Sequence, residues 1–490
     1  MKQLNYLLQT INPKEIKGDS NIKIEAIEFD SRKILNLAQS SSEKVMYVAQ
    51  KGTLVDGHDF IEQSIANGAA AIVCELFPEI VHPDVTYILV ENSSIALAHL
   101  ASAFYDFPSQ QIKLVGITGT NGKTTTVTLL HRLFSDLGYP TGLISTITNK
   151  IIDKNFPATH TTPDAMQLNR LLREMVDAGC EFCFMEVSSH ALCQYRIEGL
   201  TFAGGVFSNI THDHLDFHKT FANYIKAKQS FFDGLPSNAF ALTNADDRNG
   251  DVMVQHTKAK VFLYSLMTGA NYKGKIIENR FEGLTMDVNG KEVCFKLCGK
   301  FNAYNLLAIF ATANLLLEGK EEEILTKMSD LESAAGRFQL FRNSKGSTAI
   351  VDYAHTPDAL KNVLSTIREI TENSVEIITV VGCGGDRDAL KRPIMAQTAC
   401  EYSHKVILTS DNPRTEDPLR ILEEMEKGVP ISFKRNVSII ENRKEAIKTA
   451  CMMLQEGGVL LVAGKGHETY QEINHVKHHF DDTEVVKEFL

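Results

Sequence analysis

No stretch of this 490-residue sequence approaches 18 uninterrupted apolar residues, so no membrane-spanning helix and no membrane insertion are expected. The opening segment, MKQLNYLLQTINPKEIKGDS, lacks a basic start, a long apolar core and a small-residue cleavage site, so no export signal is read there. Positive charge is in deficit. Fifty Lys plus Arg against 61 Asp plus Glu give a formal charge of −11, which argues against nucleic acid as a partner but leaves room for a local basic pocket. The nine cysteines are scattered, and the one close pair, Cys180 and Cys183, lies in the apolar run CEFCFMEV without a second pair to complete a zinc site. Reduced, mostly buried thiols in a cytoplasmic protein are the expectation. Repeats and low-complexity tracts are missing as well.

What is present is the makeup of an ordinary globular protein, 43% hydrophobic and 23% charged. One core does not grow to this length, so roughly two to four domains are expected. Up to Phe107, strand-like runs (KVMYVAQ, VTYILV) alternate with helical ones (FIEQSIANGAAA, SIALAHLASAFYDF), and Pro108 and Ser109 read as a boundary. From Gln111 a buried strand, IKLVGIT, leads through a Gly-rich turn into an amphipathic helix closed by Gly138, and the strands FCFMEV and GGVFSNI follow. A third pattern starts near Gly336. There STAIVDY, EIITVVG, KVILTSD and GVLLVAG are separated by helical runs such as DALKNVLSTIREIT and NRKEAIKTACMMLQ. The pattern predicts an α/β protein of three domains. A smaller N-terminal α/β domain spans 1–108, a central P-loop ATPase-type domain with a mostly parallel sheet spans 109–335, and a C-terminal Rossmann-like α/β domain spans 336–490.

The segment GITGTNGKTTT, 116–126, lies between strand and helix. Its core Gly122-Lys123-Thr124 has the makeup of a phosphate loop, in which backbone N–H groups surround phosphate oxygens, Lys123 reaches the β/γ-phosphates and a threonine hydroxyl meets magnesium. The strict spacing would put glycine where Ile117 stands, and the glycines fall at 116 and 119 instead. An ordinary Gly-rich turn is the plain alternative, but strand, helix and GKT are all in place. ATP binding by Gly119, Thr120, Asn121, Gly122, Lys123, Thr124 and Thr125 is therefore expected. Glu186 ends an apolar strand and is placed to hold magnesium as a Walker-B acid does.

The form GTNGKTT, followed in order by EVSSHAL, NITHDHLDFH, YIKAK, GRF, DYAHTPDAL, GCGGDRD, DNPR and GKGHE, resembles the Mur ligase family over all three regions. The resemblance implies an ATP-dependent ligase of cell-wall precursor synthesis. A substrate carboxylate is phosphorylated to an acyl phosphate, which an amine then attacks. It also implies that His214 ligates a second magnesium, and that Lys228, in FANYIKAKQSFF, is carbamylated by carbon dioxide or bicarbonate to become a metal ligand. The neighbours His212, Asp213, Asp216 and His218 are taken as supporting or surface groups. Asn302 and Asn305, Arg337, Asp352 and His355 are expected near the nucleotide, although asparagine is also a common helix cap.

By the same resemblance, Ser31 and Arg32, with the following Lys51, Gly52, Asp56, Gly57 and His58, meet the uridine nucleotide of UDP-N-acetylmuramoyl-L-alanyl-D-glutamate. Thr161, Thr162, Ser188, Gln194 and Arg196 meet the muramoyl dipeptide. Arg387, Asp411, Asn412, Arg414, Gly464 and Glu468 are assigned to meso-diaminopimelate. Lysine-adding relatives lack the arginine of DNPR, and a guanidinium grips the extra carboxylate of diaminopimelate through two parallel hydrogen bonds. Arg414 is thus the expected discriminator and Glu468 the partner of the distal ammonium. A lysine-adding ligase, a folylpolyglutamate synthase and a non-catalytic nucleotide-binding module stay open as alternatives. Lys391 and Arg392 read as a solvated helix start, Met452 and Met453 as core filler, and the chain as a monomer.

Overall fold

A computed structural model describes residues 1–40, 44–52, 55–211, 213 and 215–490. Three α/β sheets, each with apolar clusters on both faces, draw on successive parts of the chain. The N-terminal sheet has five strands in the order Glu15–Lys17, Thr86–Leu89, Ala69–Cys74, Val45–Val48 and Ala26–Glu28. Its first strand is antiparallel and the rest are parallel. The helix expected over FIEQSIANGAAA ends at Ala66, and Ala69–Cys74 is a strand because Gly68 turns the chain at φ 104°.

The central sheet has eleven strands. Six parallel ones run Thr141–Ile144, Phe182–Glu186, Lys113–Thr118, Gly204–Phe207, Phe240–Asn244 and Lys260–Ser265. Burial on both faces explains the near-continuous apolar runs of the central ones, while Lys260–Ser265 starts exposed. From Lys113–Thr118 the chain first builds one side of the sheet and then crosses to the other, so the loop after that strand lies at a topological switch point, where α/β sheets bind ligands. The helix Lys123–Asp136 packs back on the sheet through Phe134, whose ring centroid is 4.7 Å from that of Phe182 and 4.9 Å from that of Phe184. Truncation to alanine there would cost about 3–5 kcal/mol. Gly138, at φ 88°, ends that helix as expected.

The far edge was not anticipated. Tyr272–Arg280, Gly283–Val288 and Lys291–Phe295 form an antiparallel meander whose second turn is Asn289-Gly290, with φ of 52° and 88°.

The C-terminal sheet runs Gln339–Arg342, Thr348–Asp352, Val459–Ala463, Ile377–Val381, Lys405–Leu408 and Val437–Ile439, parallel except at its first strand. DYAHTPDAL, GKGHE, GCGGDRD and DNPR all leave the C-terminal ends of these strands, where Rossmann-like sheets hold ligands. Two readings are corrected here. Arg392 is 1% exposed rather than solvated, because two glutamates far along the chain reach it, and Met452 is 77% exposed rather than core. All nine cysteines are free. Among the described residues, no helix is long and apolar enough to cross a membrane.

Candidate functional site

The phosphate loop is shaped by two glycines that tolerate no side chain. Gly119 has φ 149° and Gly122 φ 87°; a Cβ would lie 2.0 Å from Ser208 Oγ at the first and 2.5 Å from Asn305 Oδ1 at the second. Neighbouring strand ends pin the loop. Ser208 Oγ donates to the Asn121 carbonyl at 2.7 Å, and the Asn121 N–H donates to Asn209 Oδ1 at 3.0 Å. Lys123 Nζ donates to the carbonyls of Gly119 at 2.9 Å and Thr120 at 2.8 Å. Burial in the loop lowers its pKa, and the Glu186 charge opposes that shift.

Glu186 is 1% exposed at the end of its strand. Its Oε1 accepts from Thr124 Oγ1 at 2.9 Å, the Thr146 N–H at 2.8 Å and Thr146 Oγ1 at 3.1 Å. A carboxylate and a hydroxyl paired beside a phosphate loop are hard oxygen donors that fit magnesium. Among the described residues no three His, Cys, Asp or Glu side chains cluster as a metal cage. His214 lies outside the described residues.

Lys228, in the helix Phe221–Asp233, is 1% exposed. Its Nζ donates to the Gly119 carbonyl at 2.8 Å and lies 4.7 Å from the Tyr224 ring centroid. Burial first, and the nearby Lys123 charge second, push its pKa well below the ordinary lysine value.

A single cleft of about 1300 Å³ joins this loop to the C-terminal domain. Thr120 to Thr125, Glu186, Lys228 and Asn305 line its floor. One wall carries Thr161, Thr162, Ser188, Gln194 and Arg196. Arg196 Nη1 donates to the Thr162 carbonyl at 2.7 Å, and Gln194 Oε1 braces its other nitrogens at 2.6 and 2.9 Å. The opposite wall holds Arg337, Asp352 and His355, then Arg387, Asp411, Asn412, Arg414, Gly464 and Glu468.

Arg337 crosses the domain junction, its Nη2 donating to Thr124 Oγ1 at 3.2 Å. Asp352 commits both carboxylate oxygens to backbone, accepting from the N–H of Phe338 at 2.6 Å and of Ala354 at 2.8 Å. It therefore shapes the loop that carries Arg337. Asn302 sits behind the cleft wall and donates to the Cys298 carbonyl at 2.8 Å, and the helix is not capped by asparagine, since Gly299 precedes it. Ser31 and Arg32 do not reach the cleft; Arg32 is paired with Asp30 at 2.8 Å.

Among the residues that escaped the reading, His467 and Asp358 line the cleft and Lys465 lies behind it. Lys465 is fully buried, and its Nζ donates to Asn412 Oδ1 and Glu468 Oε2, each at 3.1 Å, with Asp411 Oδ1 at 3.6 Å. Its letter lies within GKGHE, which was the available signal. His467, in the same motif, is pushed down to about 3 by burial and then by the Arg337 charge, so it stands neutral beside Tyr353. Asp358 Oδ2 accepts from the side chains of Asn121 at 3.1 Å and Thr211 at 2.9 Å, across the domain junction.

Arg414 has a left-handed backbone, φ 53°, and its N–H donates to the Glu472 carbonyl at 3.0 Å, which zips it to the hairpin Tyr470–His479. Its Nη1 donates to the Gly385 carbonyl at 2.7 Å, and Glu472 Oε2 lies 3.8 Å from its Nε. One end of the cleft thus presents the phosphate loop with Lys123 and Glu186, and the other sets the guanidiniums of Arg387 and Arg414 near the carboxylates of Asp411 and Glu468.

Residues 117–313 match the family model described as Mur ligase middle domain, 336–466 that described as Mur ligase, glutamate ligase domain, and 23–105 that described as Mur ligase family, catalytic domain. A relative from Cytophaga hutchinsonii, named UDP-N-acetylmuramoyl-L-alanyl-D-glutamate--2,6-diaminopimelate ligase, is 57% identical over 100% of this chain and 99% of its own. A relative of the same name from Bacteroides thetaiotaomicron is 53% identical over 99% of each chain. A solved structure of a ligase with that name superposes with a TM-score of 0.68 at 32% identity, covering 99% of this chain and 98% of that one.

Proposed function

This chain belongs to the Mur ligase family, and from that premise we propose that it joins meso-diaminopimelate to UDP-N-acetylmuramoyl-L-alanyl-D-glutamate at the expense of ATP. The observation that carries the reading is the single cleft that runs from the phosphate loop to Arg414. A carboxylate oxygen of the dipeptide attacks the γ-phosphorus, the bond to the ADP oxygen breaks, and an acyl phosphate forms. The amine then attacks the acyl carbon, phosphate leaves, and a proton is lost from nitrogen as the amide forms.

Electrostatic positioning supplies most of the catalysis in such a transfer. Lys123 exchanges its loop carbonyls for the β/γ-phosphates, and Arg337 brings a second cation from the other domain. Magnesium held by Thr124 and Glu186 would neutralise charge on the phosphate oxygens. The lowered basicity of Lys228 supports carbamylation, in which the neutral amine adds to carbon dioxide, loses one proton and gains carboxylate-like oxygens. Thr162, Ser188 and Arg196 hold the dipeptide carboxylates, while Ser31 and Arg32 serve the distant uridine nucleotide. Arg414 and Arg387 take the far carboxylate of diaminopimelate, and Glu468 its ammonium. A monomer working in the cytoplasm completes the reading.

Phosphate release from ATP, followed with the nucleotide dipeptide and one amine at a time, tests it. Release should need both partners and favour diaminopimelate over lysine by roughly 10³-fold or more, because lysine brings no second carboxylate to the half-buried guanidinium of Arg414. Release with neither partner, or equal use of lysine, sinks the reading.

A further inference from the structure

Buried Arg392 and two half-exposed glutamates form an ion cluster that ties together the two arginine loops of the amine pocket, and the reaction scheme gives it no task. We propose that Arg392 is a positioning residue that fixes the spacing of Arg387 and Arg414 and so sets the preference for an amine with a carboxylate tail; this rests on the reading above. Arg392 starts the helix Lys391–Tyr402 and is 1% exposed. Its Nη1 donates to Glu416 Oε2 at 2.9 Å and Glu424 Oε2 at 2.8 Å, and its Nη2 donates to Glu416 Oε1 at 2.8 Å and the Gly384 carbonyl at 3.3 Å. One guanidinium therefore grips the loop of GCGGDRD directly and the loop of DNPR through Glu416.

The two loops are stitched above it. The Gly385 N–H donates to the Asn412 carbonyl at 2.9 Å, and Thr415 donates to Asp386 from its N–H at 3.2 Å and its hydroxyl at 2.7 Å. Arg414 closes the stitch on the Gly385 carbonyl. A buried guanidinium held by three carboxylate hydrogen bonds permits few alternative geometries, whatever its net contribution to stability. That constraint matters here because Arg414 must present a planar fork to a planar carboxylate, and an error of about 1 Å in such a site costs on the order of 10²-fold. A lysine at position 392 keeps the charge and loses the fork.

The test uses the full chain with Arg392→Lys and, as a milder change on the outer side of the cluster, Glu424→Gln. The kcat/KM for diaminopimelate and for lysine is measured alongside KM for ATP and the nucleotide dipeptide. Arg392→Lys should raise KM for diaminopimelate about tenfold or more and lower the diaminopimelate-to-lysine preference by a similar factor, with the other two KM values within about twofold. Glu424→Gln should shift the preference in the same direction by less. A merely structural role would depress both amines alike, so an unchanged preference ratio in the folded variants overturns the proposal. No preference in the unsubstituted chain overturns the parent reading and this one with it.

Discussion

Lys228 lies against the Gly119 carbonyl with almost no exposed surface, where an ammonium is poorly solvated and a neutral amine is favoured. If its nitrogen carries a carbamate in the working enzyme, Lys228→Ala removes a negative oxygen pair from the metal side of the loop. Phosphate release should then fall by on the order of 10²-fold. Formate or acetate should restore part of it, since a free carboxylate fits the vacated volume but has to be ordered. Full activity without rescue would remove the role. A second buried group sets an acid limb. His131, 6% exposed, is pushed down to about 4, mainly by burial and further by the Lys150 charge. With a lower pKa folded than unfolded, its contribution is complete above about 6.5 and is lost as pH falls toward 4. Going from pH 7 to 5 should cost about 2 kcal/mol through this residue. In urea titrations followed by circular dichroism, His131→Gln should lose correspondingly less over that interval, and equal losses would contradict the assignment.

At the scale of elements, the strand–loop–helix of the phosphate site was legible because three physical needs coincide in adjacent letters. A strand buried on both faces is apolar throughout, a loop touching phosphate needs glycine, and the helix behind it needs an amphipathic run. Gly119→Ala should therefore leave the fold intact by circular dichroism and abolish nucleotide binding by calorimetry, since φ 149° and the Ser208 hydroxyl leave a Cβ no room. Tight nucleotide binding by the variant would show that the loop can shift.

The elements that escaped are polar ones. Tyr272–Arg280, the first strand of the meander, carries Lys273, Lys275, Glu278, Asn279 and Arg280 and has one wet face, and the hairpin Tyr470–His479 is exposed along its second strand. Neither shows the apolar run that marks a core strand. Arg392 and Lys465 escaped for a related reason. Their partners are carboxylates and an amide up to 54 residues away, and burial of a charge is a tertiary fact that a motif letter does not disclose.

Over the whole molecule, the catalytic parts arrive from different domains and must meet. Motif order announced the central and C-terminal parts, and of the contacts that dock one on the other the GRF motif pointed to Arg337 but nothing pointed to Asp358. Asp358, in the first turn of the helix Pro357–Ile370, is the clearest of these contacts, because one carboxylate oxygen is shared by Asn121 of the phosphate loop and Thr211 of the central domain. Hydrogen bonds to a charged group contribute about 1.5–3 kcal/mol each, but the open state regains water, so their loss should shift the closed-to-open ratio roughly tenfold.

A ligand that needs the closed form then binds more weakly by the fraction of closed molecules lost. Asp358→Ala should accordingly raise KM for ATP and for diaminopimelate together by roughly tenfold, although only the first lies near the substitution, with a smaller change in kcat at saturation. Small-angle scattering with a non-hydrolysable nucleotide should show a larger radius of gyration for the variant than for the parent chain. If only KM for ATP rises and the two scattering curves superimpose, Asp358 is a local brace of the phosphate loop and closure is governed elsewhere.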